Sequence, residues 1–201
     1  MINASTQANT TTTFLVKSIA ALLLLSQLQG CAAIVIAGAA GAATAANDSR
    51  TLGVQLDDSS IEVKAAMALS AIEGLDNHTH INLVSVNGNL LAVGQATSTF
   101  LRDSAVKALS TVEGVKRVHN QIKIGSITSI LTQTNDGWIT SKVKFKLLAE
   151  KSIRSNNIKV VTENAEVFLM GLVSKEESVK AAEVARNISG VVKVIKMFEV
   201  M

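Results

Sequence analysis

Proline and tyrosine are absent from the 201 residues, and the chain has one tryptophan (Trp138), one cysteine (Cys31) and five phenylalanines. Without proline, no Pro-rich rigid spacer separates parts of the chain. A lone cysteine has no intramolecular disulfide partner. With rings this scarce, the places that hold them carry information. Neither sign of charge dominates: 19 basic and 16 acidic side chains give a formal net charge of +3. Setting aside Lys17, which belongs to the amino-terminal segment discussed next, leaves +2. That balance excludes the concentrated basic stripe of a nucleic-acid binder. A hydrophobic content of 48% supplies a core, and the length suits one domain or two small ones.

Ahead of Cys31 stand Lys17, an apolar stretch from Ile19 to Leu25, and Leu28-Gln29-Gly30-Cys31. Basic, apolar, then small is the order of a secretory signal. A cysteine directly after the cut resembles the lipobox of bacterial lipoproteins, although Gln29 is a less usual occupant of its position. The resemblance implies cleavage after Gly30, diacylation of the Cys31 thiol and acylation of the new amino terminus. A buried or disulfide-bonded cysteine is the rival reading, and a free thiol in an oxidising compartment is a liability. Residues 1–14 fit no part of an export signal, which suggests a start near Val16-Lys17. Ala32 lacks the Asp that holds some lipoproteins in the inner membrane, so by analogy the outer membrane is favoured. Residues 32–46 are Ala, Gly, Ile, Val and one Thr, too short and too small for a confident span of about 20 apolar residues. They read as a membrane-proximal tether.

The rest of the chain is an internal duplication. Ile61, Ala65 and Leu69 superpose on Ile139, Val143 and Leu147, each an i, i+4, i+8 stripe on one helix face. Leu90-Leu91-Ala92-Val93-Gly94 matches Val167-Phe168-Leu169-Met170-Gly171, and Gly114-Val115 with Val118 matches Gly190-Val191 with Val194. Each unit reads helix (59–71; 138–149), strand (81–84; 158–161), turn, buried strand closing on glycine, helix (99–111; 175–187) and a last alternating strand. Asn87-Gly88 is a strong hairpin signal because both positions tolerate positive φ; Asn164-Ala165 is a less ideal counterpart. The expectation is an α+β protein of two tandem αββαβ units, each with helices packed on one face of a small three-stranded sheet. Each unit is near the lower size limit for folding alone.

The two copies differ in charge. Residues 57–125 carry six basic and seven acidic side chains, whereas residues 138–201 carry eleven and seven. Much of the excess lies on the first helix of the second unit. Opposite its core stripe, that helix has a second line of Trp138, Lys142 and Phe145, with Leu148 on its flank. Rings beside ammonium groups suit the boundary between lipid headgroups and acyl chains. The candidate phospholipid-binding residues are Trp138, Ile139, Lys142, Phe145, Lys146 and Leu148. In the competing reading, Trp138 and Phe145 pack against the first unit or the linker.

Enzyme chemistry finds little support. His78 and His80 would share a strand face, but no third His or Cys is near, and zinc catalysis normally needs three protein ligands. His119 alternates outward. The Gly-Ala-Ala-Gly-Ala run at 38–42 lacks the Lys-Ser/Thr of a phosphate loop. Asp57-Asp58 reads as charge at a helix N-terminus. No Ser-His-Asp or Cys-His set can be assembled, and no cofactor is expected.

The αββαβ order, the strands closing on Gly94 and Gly171 and the Gly-Val-x-x-Val endings resemble the BON-domain family. A lipobox followed by two such units is similar to its outer-membrane lipoproteins. The stretches Trp138-Ile139-Thr140 and Val161 to Val173 look close to them; Ala165 for a turn glycine and Lys196 opposite Asn120 are departures. The resulting organisation is a signal peptide (1–30), a lipidated tether (31–56), BON domain 1 (57–125), a linker (126–137) and BON domain 2 (138–201). The resemblance implies a non-enzymatic, periplasm-facing outer-membrane protein that binds anionic phospholipid through the first helix of domain 2 and supports envelope integrity. It also suggests membrane regions such as the division site, with proteins there as further partners. The alternative is an interaction module that recruits an outer-membrane assembly or cell-wall partner. Oligomeric state is left open.

Overall fold

The structure, a computed structural model, describes residues 52–201. Cys31, the signal peptide and nearly all of the tether lie outside the described residues. The first unit comprises α1 (Leu52–Ser70), a short α2 (Leu75–His78), β1 (Thr79–Val86), β2 (Asn89–Ala96), α3 (Thr99–Ser110) and β3 (Arg117–Ile124). The second comprises α4 (Ile130–Ala149), a 3-10 turn (Ser155–Asn157), β4 (Ile158–Glu163), β5 (Glu166–Val173), α5 (Lys175–Arg186) and β6 (Lys193–Val200).

In each unit the middle strand pairs antiparallel with the strand before it and parallel with the strand after it, giving orders β1-β2-β3 and β4-β5-β6. The antiparallel pair needs only a two-residue turn, whereas the parallel pair needs a crossover, which α3 and α5 supply. Asn87 and Gly88 take φ of 53° and 77°, and Asn164 and Ala165 take 49° and 61°. The second turn thus has the shape of the first although an alanine replaces glycine. Gly94 and Gly171 have a different role: a Cβ there would overlap the carbonyl oxygen of His80 in β1 or of Asn157 just before β4.

Strand period explains the continuous apolar run of β2. Leu90 and Ala92 face the helices and pack with Ile61, Ala65, Leu69, Ala105 and Leu109. Leu91 and Val93 face the other way, and meet Phe168 and Met170 of β5 in a separate core with Val86. In the second unit Val167 and Leu169 join Ile139, Val143 and Leu147 on the helix side. The two sheets therefore pack face to face, with each unit's helices on the outer side.

A buried carboxylate completes that interface. Glu163 accepts hydrogen bonds from Asn82 Nδ2 at 3.0 Å and Gln95 Nε2 at 2.7 Å. Gln95 in turn accepts from the Thr128 amide at 3.1 Å. Ion pairs Lys159–Glu62 (2.9 Å) and Lys123–Glu166 (2.8 Å) bridge the units at its margin.

Two sequence expectations change. The first helix of each unit starts about two turns early, at Leu52 and at Ile130 rather than near 59 and 138. Most of the expected linker 126–137 is thereby helical, capped by Ser129, whose hydroxyl accepts from the Thr132 amide at 3.2 Å. Asp58 is not an N-terminal charge. It is buried inside α1 and accepts from the turn amides of Asn87 (2.8 Å) and Gly88 (3.0 Å). Asp136 does the same for Asn164 and Ala165, both at 2.8 Å. Each helix thus clamps its own hairpin, and the clamp on Ala165 holds a non-glycine residue in the left-handed region.

Candidate functional site

Helix α4 has two opposed apolar faces. Ile139, Val143 and Leu147 turn inward and are buried. On the outer side Ile130 is 82% exposed, Leu131 81%, Trp138 62%, Phe145 69% and Leu148 68%. At about 100° and 1.5 Å per residue these five share one side and run for about 27 Å. Leu131, Trp138 and Phe145 recur every seven residues. Sequence reading missed Ile130 and Leu131 because it began the helix at 138; extending the seven-residue spacing one step upstream would have found Leu131.

Lysines flank this stripe. Lys142 Nζ lies 5.2 Å from the centroid of the Trp138 ring, close enough for a cation–π contact. Among the described residues none of Lys142, Lys144 and Lys146 forms an ion pair. Their charge is available to a partner from outside.

The placement divides the candidate residues. Trp138, Phe145 and Leu148 lie together on the outer face, with Lys142 and Lys146 along one margin. Ile139 does not join them: at 1% exposure it packs in the helix–sheet core. Its period places it with Val143 and Leu147, so it supports α4 from within and contacts no surface ligand. The exposure of Trp138 and Phe145 likewise counters their packing against the first unit.

Helix α1 is the internal reference. It too exposes apolar side chains, Leu56, Val63 and Met67. It has no ring, however, and its one lysine, Lys64, is paired with Glu113 at 2.7 Å. Its charged residues are Asp57, Asp58, Glu62 and Lys64, against Asp136 and three lysines on α4. Matching helices therefore carry opposite net charge.

His78 ends α2 while His80 lies in β1, so they share no strand face. Among the described residues no group of three His, Cys, Asp or Glu could hold an ion. His119 is half-buried rather than outward, and desolvation, aided by Arg117, lowers its pKa. Among the described residues no helix is long and apolar enough to cross a membrane.

Comparison with known proteins adds a family. The BON domain model matches residues 57–126 and 135–201. The chain is similar to outer membrane lipoprotein DolP of Haemophilus influenzae, 39% identical over 86% of this chain and 89% of that one. It is similar to a 21 kDa hemolysin of Actinobacillus pleuropneumoniae, 41% identical over 75% and 77%. Osmotically-inducible protein Y of Escherichia coli is 30% identical over 70% of this chain and 71% of its own length.

Proposed function

The chain belongs to the BON-domain family, and from that premise we propose that it is a non-enzymatic outer-membrane lipoprotein, anchored by acyl chains on Cys31, that faces the periplasm. It touches anionic phospholipid through the outer side of α4 and supports envelope integrity. The relative named as an outer membrane lipoprotein supports the location. The observation that carries the lipid contact is the uncovered apolar stripe of α4 beside three lysines that form no ion pair among the described residues.

The physics suits weak, reversible docking. Each lysine near an anionic surface contributes about 1 kcal/mol, and the rings and aliphatic chains enter the boundary between headgroups and acyl chains. Acylation at Cys31 makes high intrinsic affinity unnecessary, because a tethered domain meets the membrane at high effective concentration. The described residues 52–201 lie within one compact unit, so a fragment of residues 47–201 can be tested apart from its anchor. Cosedimentation with phosphatidylglycerol vesicles is expected to exceed that with phosphatidylcholine and to fall steeply between 50 and about 300 mM salt as screening shortens the electrostatic reach. Equal, salt-independent binding to both lipids, or none to either, would reject the proposal. A single stoichiometric protein partner captured by the same face would favour the recruitment alternative.

A further inference from the structure

Beside its outer stripe, the C-terminal half of α4 forms a groove of about 300 Å³ with β4. Ile158 and Val160 form its apolar floor, Lys144, Ser155 and Asn156 its polar rim, and Leu148 its mouth. Leu148 belongs to the outer stripe as well, so the groove and the stripe are continuous. Among the described residues the Lys144 ammonium, the Ser155 hydroxyl and the Asn156 amide have no side-chain hydrogen bond or ion pair. Three kinds of donor, one of them charged, thus line a single apolar recess with nothing from the protein to satisfy them.

The first unit supplies the control. A groove of about 260 Å³ lies at the same place between α1 and β1, its lining including Ala66, Ser70, Asp76, Thr79, His80, Ile81 and Leu83. Pairing of Ile81 with Gly94 and of Ile158 with Gly171 fixes the strand equivalence. Ile61 beneath Gly114 and Ile139 beneath Gly190 fix that of the helices. The floor keeps its character, Ile81 and Leu83 becoming Ile158 and Val160. The rim changes: Lys144 stands where Ala66 was and Leu148 where Ser70 was, and no carboxylate lines the second groove.

The geometry points to a headgroup subsite in the second groove, which takes the phosphodiester of one anionic glycerophospholipid whose acyl chains remain against Leu148 and the outer stripe. This rests on the docking reading and deepens it, because a stripe with lysines senses surface charge whereas a groove selects a molecule. A phosphodiester offers acceptor oxygens and one negative charge, matching donors of which one is cationic. The volume is at the small end of ligand sites and fits a headgroup, not a whole lipid.

Amide NMR spectra of residues 47–201 test it with dihexanoylphosphatidylglycerol below its micellar concentration. Saturable shifts are expected at Lys144, Ser155 and Asn156 and not at Ala66, Ser70 and Thr79, with Asn156→Ala weakening the interaction at least five-fold at unchanged net charge. Shifts of equal size in both grooves, or no saturation, overturn the subsite. Equal response to inorganic phosphate makes it a free-phosphate site and overturns the lipid assignment; equal response to dihexanoylphosphatidylcholine overturns the anionic selectivity. Vesicle cosedimentation of Trp138→Glu separates the two claims. If it loses vesicle binding while the short-chain lipid leaves the wild-type groove unmoved, docking stands and the subsite falls. If it binds vesicles like wild type while the groove amides still shift, the subsite stands and docking through the stripe falls.

Discussion

Trp138→Glu is the sharpest test of the α4 surface. A tryptophan side chain presents up to about 250 Å², and this one is 62% exposed. About 150 Å² is then available, and at about 25 cal/mol per Å² complete transfer from water would contribute about 4 kcal/mol. A ring at the headgroup boundary is only partly withdrawn, so about 2 kcal/mol is a fairer figure. A carboxylate in its place adds like-charge repulsion of about 1 kcal/mol at an anionic surface. The sum, about 3 kcal/mol, weakens vesicle binding more than about 100-fold. The fold should not notice. Trp138 is mostly exposed and belongs to none of the core clusters, and its contact with Lys142 is an exposed cation–π pair worth about 0.5–1 kcal/mol. Cosedimentation of residues 47–201 measures the binding change, and circular dichroism with thermal unfolding measures the fold. Weakening of less than about three-fold, or loss of the folded state, would refute this reasoning.

Other substitutions report on the scaffold. Leu131→Glu, on the turn that sequence reading missed, should weaken vesicle binding at least ten-fold in the same assay; no effect would confine docking to the C-terminal half of α4. Gly171→Ala drives a methyl into the Asn157 carbonyl and should destabilise the second unit by about 3 kcal/mol in urea, whereas Gly137→Ala, with open space around it, should stabilise α4 by about 0.5–1 kcal/mol. Hydrogen bonds from Arg154 hold the Glu177 pKa at about 2, below its unfolded value, so this contribution is intact above about pH 4.5 and is lost as pH falls through about 2. Glu177→Gln should cost on the order of 2 kcal/mol at pH 7, allowing for the half-exposed Arg154, and flatten the fall in stability between pH 4.5 and 2 in denaturant titrations. Ala165→Gly relieves a left-handed alanine worth about 1 kcal/mol but forfeits part of a packed methyl; net stabilisation of about 0.5 kcal/mol is expected by thermal unfolding.

Periodicity made much of this fold legible. The stripes through Ile61 and Ile139, the strands closing on Gly94 and Gly171 and the Asn87-Gly88 turn each follow from local rules, and the structure has them where those rules put them. The early helix starts were hidden by chemistry that looks the same in one dimension. Asp58 reads as an N-terminal charge and Asp136 falls in the expected linker, yet both accept hydrogen bonds from turn amides 28 or more residues away. The sheet–sheet interface was hidden for another reason. A run such as Leu90 to Val93 announces burial on both faces, but no sequence pattern says what covers the second. Trp138, Phe145 and Leu148 were legible as an extra apolar face because α4 needs only one; Ile130 and Leu131 were lost with the helix start.

Duplication also explains why function would gather on the helices. Each sheet has two faces; one carries its own helices and the other is spent on the twin sheet. Much of the exposed apolar area, Leu56, Val63, Met67, Phe100, Ile130, Leu131, Trp138, Phe145 and Leu148 among it, is therefore on helix exteriors. The buried Glu163 network and the short connection from β3 to α4 hold both units as one body, so α4 cannot be presented independently of α1. On the proposed docking reading, a membrane that meets such a body is offered a helix with net negative charge or one with three lysines outside any ion pair among the described residues, and an anionic surface would decide between them. Reversing that polarity, with Lys142, Lys144 and Lys146 changed to glutamate, should leave both cores intact while abolishing binding to phosphatidylglycerol vesicles. Retained binding would show that charge on α4 does not choose the face.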